Sequence, residues 1–334
     1  MRNRVLQILR NKNGQYVSGE DISKTVGITR AAIWKHISEL RKYGYAIESS
    51  PKIGYKLIQS KNVLNSFELE ETLRDISFVK DIVYFDSIDS TNNEAKRIAN
   101  GGCLEGTVVI SGSQTAGKGR MGRTWLSPNG TGVWMSVVLR PDLPPHKIQL
   151  LTLLVSCAVF DAIKQLGIDA GIKWPNDIIL DGKKVCGILL EMNSEADKIN
   201  YICAGIGINV SQSENDFDTD ISKTAISLRM HCKKHNIIID DIGRCDIIKS
   251  VLVKLSDYYD AFKKGKYEFI LNEWKNRNIT IGKQVRVIHN GKECEGTAVD
   301  INLNGSLLVK LNNGETSAVS SGDVSIRGIM GYSV

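Results

Sequence analysis

The sequence predicts a multidomain α+β protein, because three stretches with different patterns follow one another along its 334 residues. Three short helical patterns and a hairpin occupy residues 1–58, apolar strands alternate with helices from 79 to 210, and strands separated by Asn-Gly turns fill 284–327. Charged residues (24%) and hydrophobic residues (42%) occur at the frequencies of ordinary globular domains. The predicted domains are 1–60, 61–275 and 276–334.

The first domain has the pattern of a winged helix-turn-helix. Its second helix begins after Ser18, Thr29 caps a basic third helix, and a hairpin follows over residues 45–57. This plan is typical of DNA-binding domains that place the second helix of the pair in the major groove, and a helical bundle that binds protein is the alternative. Arg41 is expected to point outward. The residues predicted to contact DNA are Gly19, Thr29, Arg30, Trp34, Lys35 and Ser38.

A glycine-rich loop over residues 114–125 is the strongest candidate for ligand binding. Three glycines free its backbone for close approach to a ligand, and Lys118, Arg120 and Arg123 lie among or beside them. Main-chain N–H groups and cationic side chains that converge in this way suit a phosphate or a carboxylate. The alternative is a flexible surface loop with incidental basic residues.

The same loop matches the glycine and lysine spacing of two nucleotide-binding motifs but lacks the other features that each motif requires. Residues 117–122 read G-x-G-x-x-G, but residues 123–130 cannot form the required helix, and Arg140 stands where an acidic residue is expected. Residues 112–118 read G-x-x-x-x-G-K, but Gly119 replaces the Ser or Thr that binds Mg²⁺ in a P-loop. Neither a dinucleotide fold nor a P-loop is therefore predicted.

Two polar clusters border predicted strands of the central domain. Residues 90–92 (Ser-Thr-Asn) follow a strand and precede a helix that we expect to begin near Asn93. Their polar side chains suit a neutral polar ligand at a helix N-terminus. The sequence alone favours the alternative that they simply cap the helix. Residues 173–177 group Lys, Trp, Asn and Asp around a proline. The turn Asp181-Gly182 predicts a hairpin that brings Lys184 and Gly187 beside them, although single lysines are more often solvated.

Several classes of protein and site are not expected. Charges interrupt the apolar stripe of residues 1–10, which argues against a signal peptide, and we find no apolar run long enough to span a bilayer. The apolar helix at 148–166 is assigned to the core. Seven scattered cysteines suggest reduced thiols in a cytoplasm. Residues 231–235, His-Cys-Lys-Lys-His, have no distant partner pair, so a surface loop without metal is expected. Two glycines in the strand at 201–210 imply a close approach to its backbone.

In order along the chain, these motifs resemble those of the biotin–protein ligases, specifically the bifunctional kind that also represses the biotin biosynthetic operon. The resemblance covers nearly the whole chain, and one departure is Lys118, where family members often carry Arg. The motifs that carry it are the winged helix, Ser90-Thr91-Asn92, Gln114, Gly117–Arg123 with Trp125, Lys173–Asp177, Lys184 with Gly187, Gly205–Asn209, and Val324-Ser325-Ile326-Arg327.

The resemblance implies a fold and an activity. The central domain would have the mixed sheet of the class II synthetase-like biotin/lipoate ligase fold, and the last domain would be a small Src-homology-3-like β-barrel. Biotin would react with ATP, accompanied by Mg²⁺, to give biotinyl-5′-adenylate, and then pass to a lysine of the biotin carboxyl carrier protein of acetyl-CoA carboxylase. An adenylate-bound homodimer would bind operator DNA; no membrane and no structural metal would be involved. The alternatives are a lipoate–protein ligase and a non-catalytic biotin-sensing transcription factor.

The resemblance also assigns roles to individual residues, in keeping with the need for cations where a carboxylate meets a phosphate. The predicted catalytic residues are Arg120, Lys173, Asp177 and Lys184. The predicted biotin-binding residues are Ser90, Thr91, Asn92, Gln114, Lys118, Gly119, Arg120, Trp125, Lys184 and Gly187. The predicted nucleotide-binding residues are Gly117, Lys118, Arg120, Arg123, Asn176, Asn209 and Arg327.

Overall fold

A computed structural model describes most of the chain, and its first part is a small helical unit with a two-stranded wing. The described residues are 1–58, 62–195, 198–238, 243–289, 292–320 and 324–328. The elements of the first part are α1 (Arg2–Asn11), α2 (Gly19–Val26), α3 (Arg30–Lys42), β1 (Ile47–Ser50) and β2 (Gly54–Leu57). Ser18 and Thr29 cap α2 and α3 through their side-chain oxygens, as the sequence predicts.

The winged unit has its own hydrophobic core, to which α3 contributes the fully buried Ile33 and Ile37. Arg41 of this helix is exposed, as expected, but its side chain is held by the wing. Its guanidinium donates to the carbonyl of Ile47 at 2.9 and 2.6 Å and to the Ser49 hydroxyl at 2.5 Å. These bonds fix the wing against the C-terminal end of α3, because a guanidinium presents several donors in one rigid fork.

A packed helix, α4 (Ser66–Leu73), lies between the winged unit and the central sheet. Leu69 and Leu73 are buried in the core of the central domain. On the other side, Arg10 of α1 forms an ion pair with Glu71 at 3.0 Å. The winged unit is therefore joined to the rest of the protein through side-chain contacts as well as through the chain.

A seven-stranded mixed sheet organises the central part, in the order β3-β4-β5-β9-β8-β7-β6. Only the β3–β4 pair is parallel among the described strands, and the other pairs are antiparallel. The strands are β3 (Asp81–Phe85), β4 (Thr107–Ser111), β5 (Gly132–Leu139), β6 (Gly171–Lys173), β7 (Asp177–Leu180), β8 (Lys183–Ser194) and β9 (Ile199–Asn209). The helices are α5 (Thr91–Asn100), α6 (Ile148–Lys164), α7 (Thr219–Ser222), α8 (Leu228–His235), α9 (Arg244–Lys263) and α10 (Tyr267–Lys275).

The central core contains a helix with the length and composition of a membrane span. The helical stretch Pro145–Lys164 is long and apolar enough to cross a bilayer, so the expectation that no run reaches that length was wrong. However, 78% of its apolar window is buried inside the protein, and α6 packs in the main core with α9. Its hydrophobicity is therefore explained by burial on all sides.

Two helix assignments also need correction. Helix α5 begins at Thr91 rather than near Asn93, and its N-cap residue Ser90 makes no side-chain capping bond. Residues 231–235 are not a surface loop but the last residues of α8, where Cys232 is buried in the core. Helix α8 is bounded by local caps: the Ser227 side chain accepts from the Met230 N–H at its start, and Asn236 ends it with a φ of 55°.

The last part is a five-stranded antiparallel sheet in the order β13-β12-β11-β10-β14. It packs against the central domain, where the Trp174 indole N–H donates to the carbonyl of Gly305 at 3.1 Å. The predicted turn at 290–291 lies outside the described residues. The strands are β10 (Gln284–His289), β11 (Lys292–Ile301), β12 (Leu307–Leu311), β13 (Thr316–Val319) and β14 (Val324–Gly328).

Candidate active site

A cavity lies between the glycine-rich loop and the face of the sheet formed by β5, β8 and β9. The structure thus brings together side chains that are up to about 135 positions apart in the sequence, from residue 90 to residue 225. The predicted site residues that line this cavity are Ser90, Thr91, Asn92, Gln114, Lys118, Gly119, Arg120, Arg123, Trp125, Lys173, Asn176, Asp177, Lys184, Gly187 and Asn209.

One end of the cavity is uncharged, and its polar groups are held by one another. The Gln114 carbonyl oxygen accepts from the Thr91 N–H at 2.8 Å and lies 3.1 Å from the Thr91 hydroxyl, while its amide donates to Ser127 at 2.8 Å. The Ser136 hydroxyl lies 2.8 Å from Thr91 Oγ1 and 2.6 Å from Asn92 Oδ1. We call Thr91, Asn92 and Gln114, together with Ser136 buried behind them, the neutral end.

The orientation of Asn92 is set by a partly buried anchor on β8. Its amide nitrogen donates to the Leu189 carbonyl at 3.2 Å and to Glu191 Oε2 at 2.9 Å, and Lys96 binds the other oxygen of Glu191 at 2.7 Å. Burial alone would raise the pKa of the Glu191 carboxyl, but the Lys96 ammonium and the Asn92 amide hold that pKa below its usual value. Glu191 therefore stays charged and fixes Asn92 in one orientation.

The other end of the cavity carries cations on the β7–β8 hairpin and its surroundings. Lys184 Nζ lies 2.5 Å from Asp177 Oδ1 and 5.2 Å from the centre of the Trp125 ring. The strand register pairs Asp177 with both Lys173 and Gly187, which confirms the predicted hairpin. The Asp181-Gly182 turn has positive φ at both residues, 50° and 74°.

Arg120 joins this group from the loop. Its Nη1 donates to Asn176 Oδ1 at 3.2 Å, and the amide of Asn176 donates to the Ile188 carbonyl at 2.5 Å. Lys173 is only 2% exposed, which is unusual for a lysine and contradicts the view of it as a solvated side chain. We call Arg120, Lys173 and Lys184 the cationic end.

The glycine-rich loop is folded back on itself. The Trp125 N–H donates to the Gly117 carbonyl at 2.9 Å, and the Gly119 N–H donates to the Arg123 carbonyl at 2.7 Å. A Cβ on Gly117 would lie 2.4 Å from the Trp125 carbonyl oxygen, so this glycine serves the loop's own packing. Gly117 is not among the residues that line the cavity, and its contact with a nucleotide stays a prediction.

Lys118 lies closer to the neutral end than its charge suggests. Its ammonium donates to Asn93 Oδ1 at 2.9 Å, near the start of α5. The loop tip beyond it is exposed, and Met121 holds a φ of 56° with 54% of its surface exposed. The three loop cations therefore do not form one cluster, because Arg123 is also exposed while Arg120 is half-buried.

The glycines of β9 explain the close approach that the sequence predicts there. A Cβ on Gly205 would lie 2.4 Å from Asn92 Oδ1, and one on Gly207 would lie 2.6 Å from Trp125 Nε1. The groups that approach the strand are therefore side chains of the protein itself. Because Gly205 precedes Gly207 along β9, the same strand places Asn92 and Trp125 in order along the cavity.

Matches to known proteins follow the same three-part order. Residues 2–56 match an HTH domain, residues 84–209 match the Biotin/lipoate A/B protein ligase family, and residues 280–327 match the Biotin protein ligase C terminal domain. Over 315 residues the chain is 37% identical to the bifunctional ligase/repressor BirA of Bacillus subtilis (strain 168), with 94% of this chain and 95% of that protein covered. The chain belongs to the bifunctional biotin–protein ligase/repressor family.

Two further matches agree with this membership. The bifunctional ligase/repressor BirA of Escherichia coli (strain K12) is 29% identical over 317 residues, with 94% of each chain covered. The structure of the biotin protein ligase from Aquifex aeolicus in complex with biotin and ATP has a TM-score of 0.62 at 26% identity, covering 75% of this chain and 99% of that chain. The predicted N-terminal helix-turn-helix and the ligase fold with a mixed sheet are confirmed.

In this member of the ligase/repressor family, α3 presents an aromatic and basic surface. Trp34 is 63% exposed, and Lys35 beside it is exposed as well. Arg30 forms an ion pair with Glu20 of α2 at 2.5 Å, with both side chains more than half exposed. Such an exposed pair contributes little free energy, so Arg30 can exchange it for another anion.

The other predicted DNA-contacting residues have structural duties. Thr29 Oγ1 accepts from the Ala32 N–H at 3.3 Å, and a Cβ on Gly19 would lie 3.4 Å from the Tyr55 ring. Ser38 is half-buried on α3. Thr29 thus caps α3 and Gly19 lies beside the wing, and contacts of these three residues with DNA stay a prediction.

Two residues predicted to contact the nucleotide, Asn209 and Arg327, differ in what the structure describes of them. Asn209 lines the cavity, but its amide donates to Ile226 O at 3.2 Å and its carbonyl accepts from Gln212 at 3.1 Å. Arg327 belongs to β14, and its side chain lies outside the part of the chain that the structure describes. Its contact with a nucleotide stays a prediction.

Sequence reasoning missed several residues of the site. Ser136 and Glu191 lie within apolar strands and bind Asn92, while Phe217, Ile221 and Thr224 line the cavity from the segment around α7. A polar residue inside an otherwise buried strand was the available signal for Ser136 and Glu191. The α7 segment reads as an ordinary acidic connection, so nothing local marks it.

Proposed function

We propose that this protein is an ATP-dependent biotin–protein ligase and a transcriptional repressor. It joins biotin to ATP as biotinyl-5′-adenylate, and it transfers the biotinyl group to a lysine of the biotin carboxyl carrier protein of acetyl-CoA carboxylase. It represses the biotin biosynthetic operon with biotinyl-5′-adenylate as corepressor. The relatives named bifunctional ligase/repressor, and the Aquifex aeolicus enzyme bound to biotin and ATP, support both activities.

The observation that carries the ligase proposal is the neutral end and the cationic end in one cavity. Biotin is a neutral ureido ring joined by an apolar chain to a carboxylate. The neutral end offers fixed hydrogen-bonding groups for the ureido ring, Trp125 offers an apolar wall, and the cationic end receives the carboxylate and the phosphates of ATP. Lipoate has no ureido group to use the neutral end, which favours biotin as the substrate.

The first chemical step joins two anions. A carboxylate oxygen of biotin attacks the α-phosphorus of ATP, and pyrophosphate leaves with the bonding electrons. Lys184 and Arg120 offset the repulsion, and their partners Asp177 and Asn176 hold the two cations in place before the substrates arrive. Mg²⁺ enters as part of the nucleotide substrate and supplies further positive charge.

The second step transfers the acyl group. The neutral amine of the carrier lysine attacks the acyl carbon, AMP leaves from it, and the amine loses a proton to solvent. Because water hydrolyses such a mixed anhydride, the exposed tip of the glycine-rich loop closes over the adenylate. Lys118, Gly119 and Arg123 move with that loop toward the ligand.

Finer features belong to the same proposal. The domains extend over 1–60, 61–275 and 276–334, the central fold is class II synthetase-like, and the C-terminal sheet closes as a Src-homology-3-like barrel that directs Arg327 to the nucleotide. Two adenylate-bound copies form a homodimer, so that two winged helices meet the half-sites of a palindromic operator. Free cysteines among the described residues are in keeping with a cytoplasmic location.

The ligase proposal is tested by incubating the purified protein with MgATP, a carrier domain, and either biotin or lipoate. The expected result is the mass increase of one biotinyl group on one lysine of the carrier. Attachment of lipoate without biotin would show a lipoate ligase, and transfer of neither would leave the non-catalytic biotin sensor.

The repressor proposal is tested separately. Deletion of residues 1–60 abolishes binding to operator DNA while much ligase activity is retained, because the cavity lies in the other domains. A Trp34→Ala, Lys35→Ala double variant, which changes exposed residues only, likewise loses operator affinity at normal ligase activity. Operator binding and sedimentation both increase with biotinyl-adenylate. An intact protein that ignores operator DNA with and without the adenylate contradicts the repressor role.

A further inference from the structure

A cluster of three potential metal ligands lies outside the cavity, where α8 packs on the turn between β7 and β8. The ligand atoms of Asp181, His231 and His235 all lie within 4.8 Å of one another. His231 and His235 are four positions apart on α8 and therefore share one face of the helix. Asp181 is the first residue of the hairpin turn, and its φ of 50° is part of the turn geometry that presents its carboxylate.

The distances within the cluster suit a transition-metal ion. His231 Nδ1 lies 3.1 Å from Asp181 Oδ2, and His235 Nε2 lies 2.9 Å from Oδ1 and 3.1 Å from Oδ2. Two ligands of a tetrahedral zinc ion, each about 2.1 Å from the metal, are separated by roughly 3.4 Å. The separations between Asp181 and the two histidines are roughly 0.3–0.5 Å shorter than that value, and the ligand atoms of the two histidines lie within 4.8 Å of each other, so side-chain rotation suffices to admit an ion.

The chemistry of the cluster defines the class of ion. Two imidazoles and one carboxylate form a donor set typical of Zn²⁺, Co²⁺ and Ni²⁺, and three protein ligands leave further positions for water. Cys232, although adjacent to His231, is 2% exposed and packs in the core, so its thiol is not available. We propose that Asp181, His231 and His235 form a binding site for a divalent transition-metal ion that ties α8 to the β7–β8 hairpin.

The position of this site gives the ion a structural role. The Lys184 N–H already donates to the Thr224 carbonyl at 2.7 Å, and the Ile226 N–H donates to the Lys184 carbonyl at 3.0 Å. These bonds attach β8 to the segment just before α8. A metal at Asp181, three positions before Lys184, adds a second attachment between the β7–β8 hairpin and α8 itself. Lys234 Nζ lies 3.3 Å from Asp181 Oδ2 and competes with the ion for the carboxylate.

The test is zinc binding by the full-length protein after treatment with a chelator. Isothermal titration with Zn²⁺ gives one equivalent at this site, and His235→Ala weakens it by at least about tenfold, the smaller end of what loss of a group supporting a metal site costs. His235 is partly exposed, so its replacement preserves the fold. Lys234→Gln tightens binding because the competing ammonium is gone. His146→Ala, an exposed histidine elsewhere, is the matched control and binds as the wild type does.

Co²⁺ serves as a spectroscopic probe of the same site. The expected spectrum has d–d bands of nitrogen and oxygen ligation, which His235→Ala abolishes, without a thiolate-to-cobalt charge-transfer band. The metal also raises the Tm of the wild type by a few degrees, and not that of His235→Ala. Absence of zinc binding, equal binding by His235→Ala and the wild type, or a thiolate band from the bound cobalt would each overturn the proposal.

Discussion

The two ends of the cavity reach their working arrangement in different ways. At the neutral end, Gln114 at the start of the glycine-rich loop is held by Thr91 and Ser127. Asn92 at the start of α5 is held by the Leu189 carbonyl and by the partly buried carboxylate of Glu191 on β8. At the cationic end, Lys184 is held by Asp177, and Arg120 extends from a loop with an exposed tip. The comparison teaches that recognition of a neutral group is built in advance, whereas the charged end changes partners when anions arrive.

The largest expected effect lies at the cationic end. Lys184→Ala slows adenylate formation by about 10²-fold or more, the scale observed when one preorganised donor is removed. Lys184→Arg keeps the charge and recovers part of the rate. Pyrophosphate release in a single turnover measures the step. A normal rate in the alanine variant would remove Lys184 from the mechanism and with it the distinction between the two ends.

Arg120 tests whether the loop retains the product of that step. Arg120→Gly releases the adenylate faster by about tenfold or more, because a charge-assisted hydrogen bond is lost. Biotin then labels bystander lysines of an unrelated protein. Met121→Gly is the matched control, since Met121 already has a φ of 56° that glycine adopts freely. Equal labelling by both variants would assign the effect to loop mobility instead of charge.

Asn92 tests the neutral end. Asn92→Ala raises the KM for biotin by about tenfold, the cost of one to two buried hydrogen bonds, with little change in kcat. Asn193→Ala, at the exposed end of β8, is the control and leaves KM unchanged. Steady-state kinetics with biotin varied at saturating MgATP gives both parameters. An unchanged KM in Asn92→Ala would place the ureido ring elsewhere.

The smallest expected effect concerns the charge behind Asn92. The pKa of Glu191 is lower in the folded protein than its usual value of 4.5, so its ionised form stabilises the fold above that pH, and this contribution is lost as the pH falls through the folded pKa. Glu191→Gln is therefore less stable than the wild type near neutral pH, and the difference shrinks below about pH 4.5. Urea unfolding across this range measures it, and a difference that grows with acid would contradict the assignment.

Local patterns account for the parts of the structure that the sequence predicted well. The caps Ser18 and Thr29 and the turn Asp181-Gly182 act on their immediate neighbours, so a single sequence reveals them. The hairpin in turn brought Lys184 near Asp177: Lys184 pairs with Ile179 on β7, and its ammonium reaches back to the Asp177 carboxylate across an irregularity in the register between Ile178 and Ile179.

The parts that the sequence did not reveal depend on contacts between distant segments. Glu191 reads as one charge at the end of a strand until Asn92 and Lys96 are beside it. Arg41 reads as a free surface cation until the wing supplies the Ile47 carbonyl and the Ser49 hydroxyl that it binds. Residues 231–235 lacked a partner in the sequence because Asp181 lies 50 positions before His231. Such pairings follow from tertiary packing, which no local pattern encodes.

The most direct measurement of the division between the two ends is single-turnover adenylate formation by Asn92→Ala and Lys184→Ala over a range of biotin concentrations. The account predicts that Asn92→Ala raises the biotin concentration for half-maximal rate and leaves the maximal rate nearly unchanged. It predicts that Lys184→Ala lowers the maximal rate and leaves the half-saturating concentration nearly unchanged. If both variants lower the maximal rate alone by similar factors, the two ends do not divide recognition and chemistry between them.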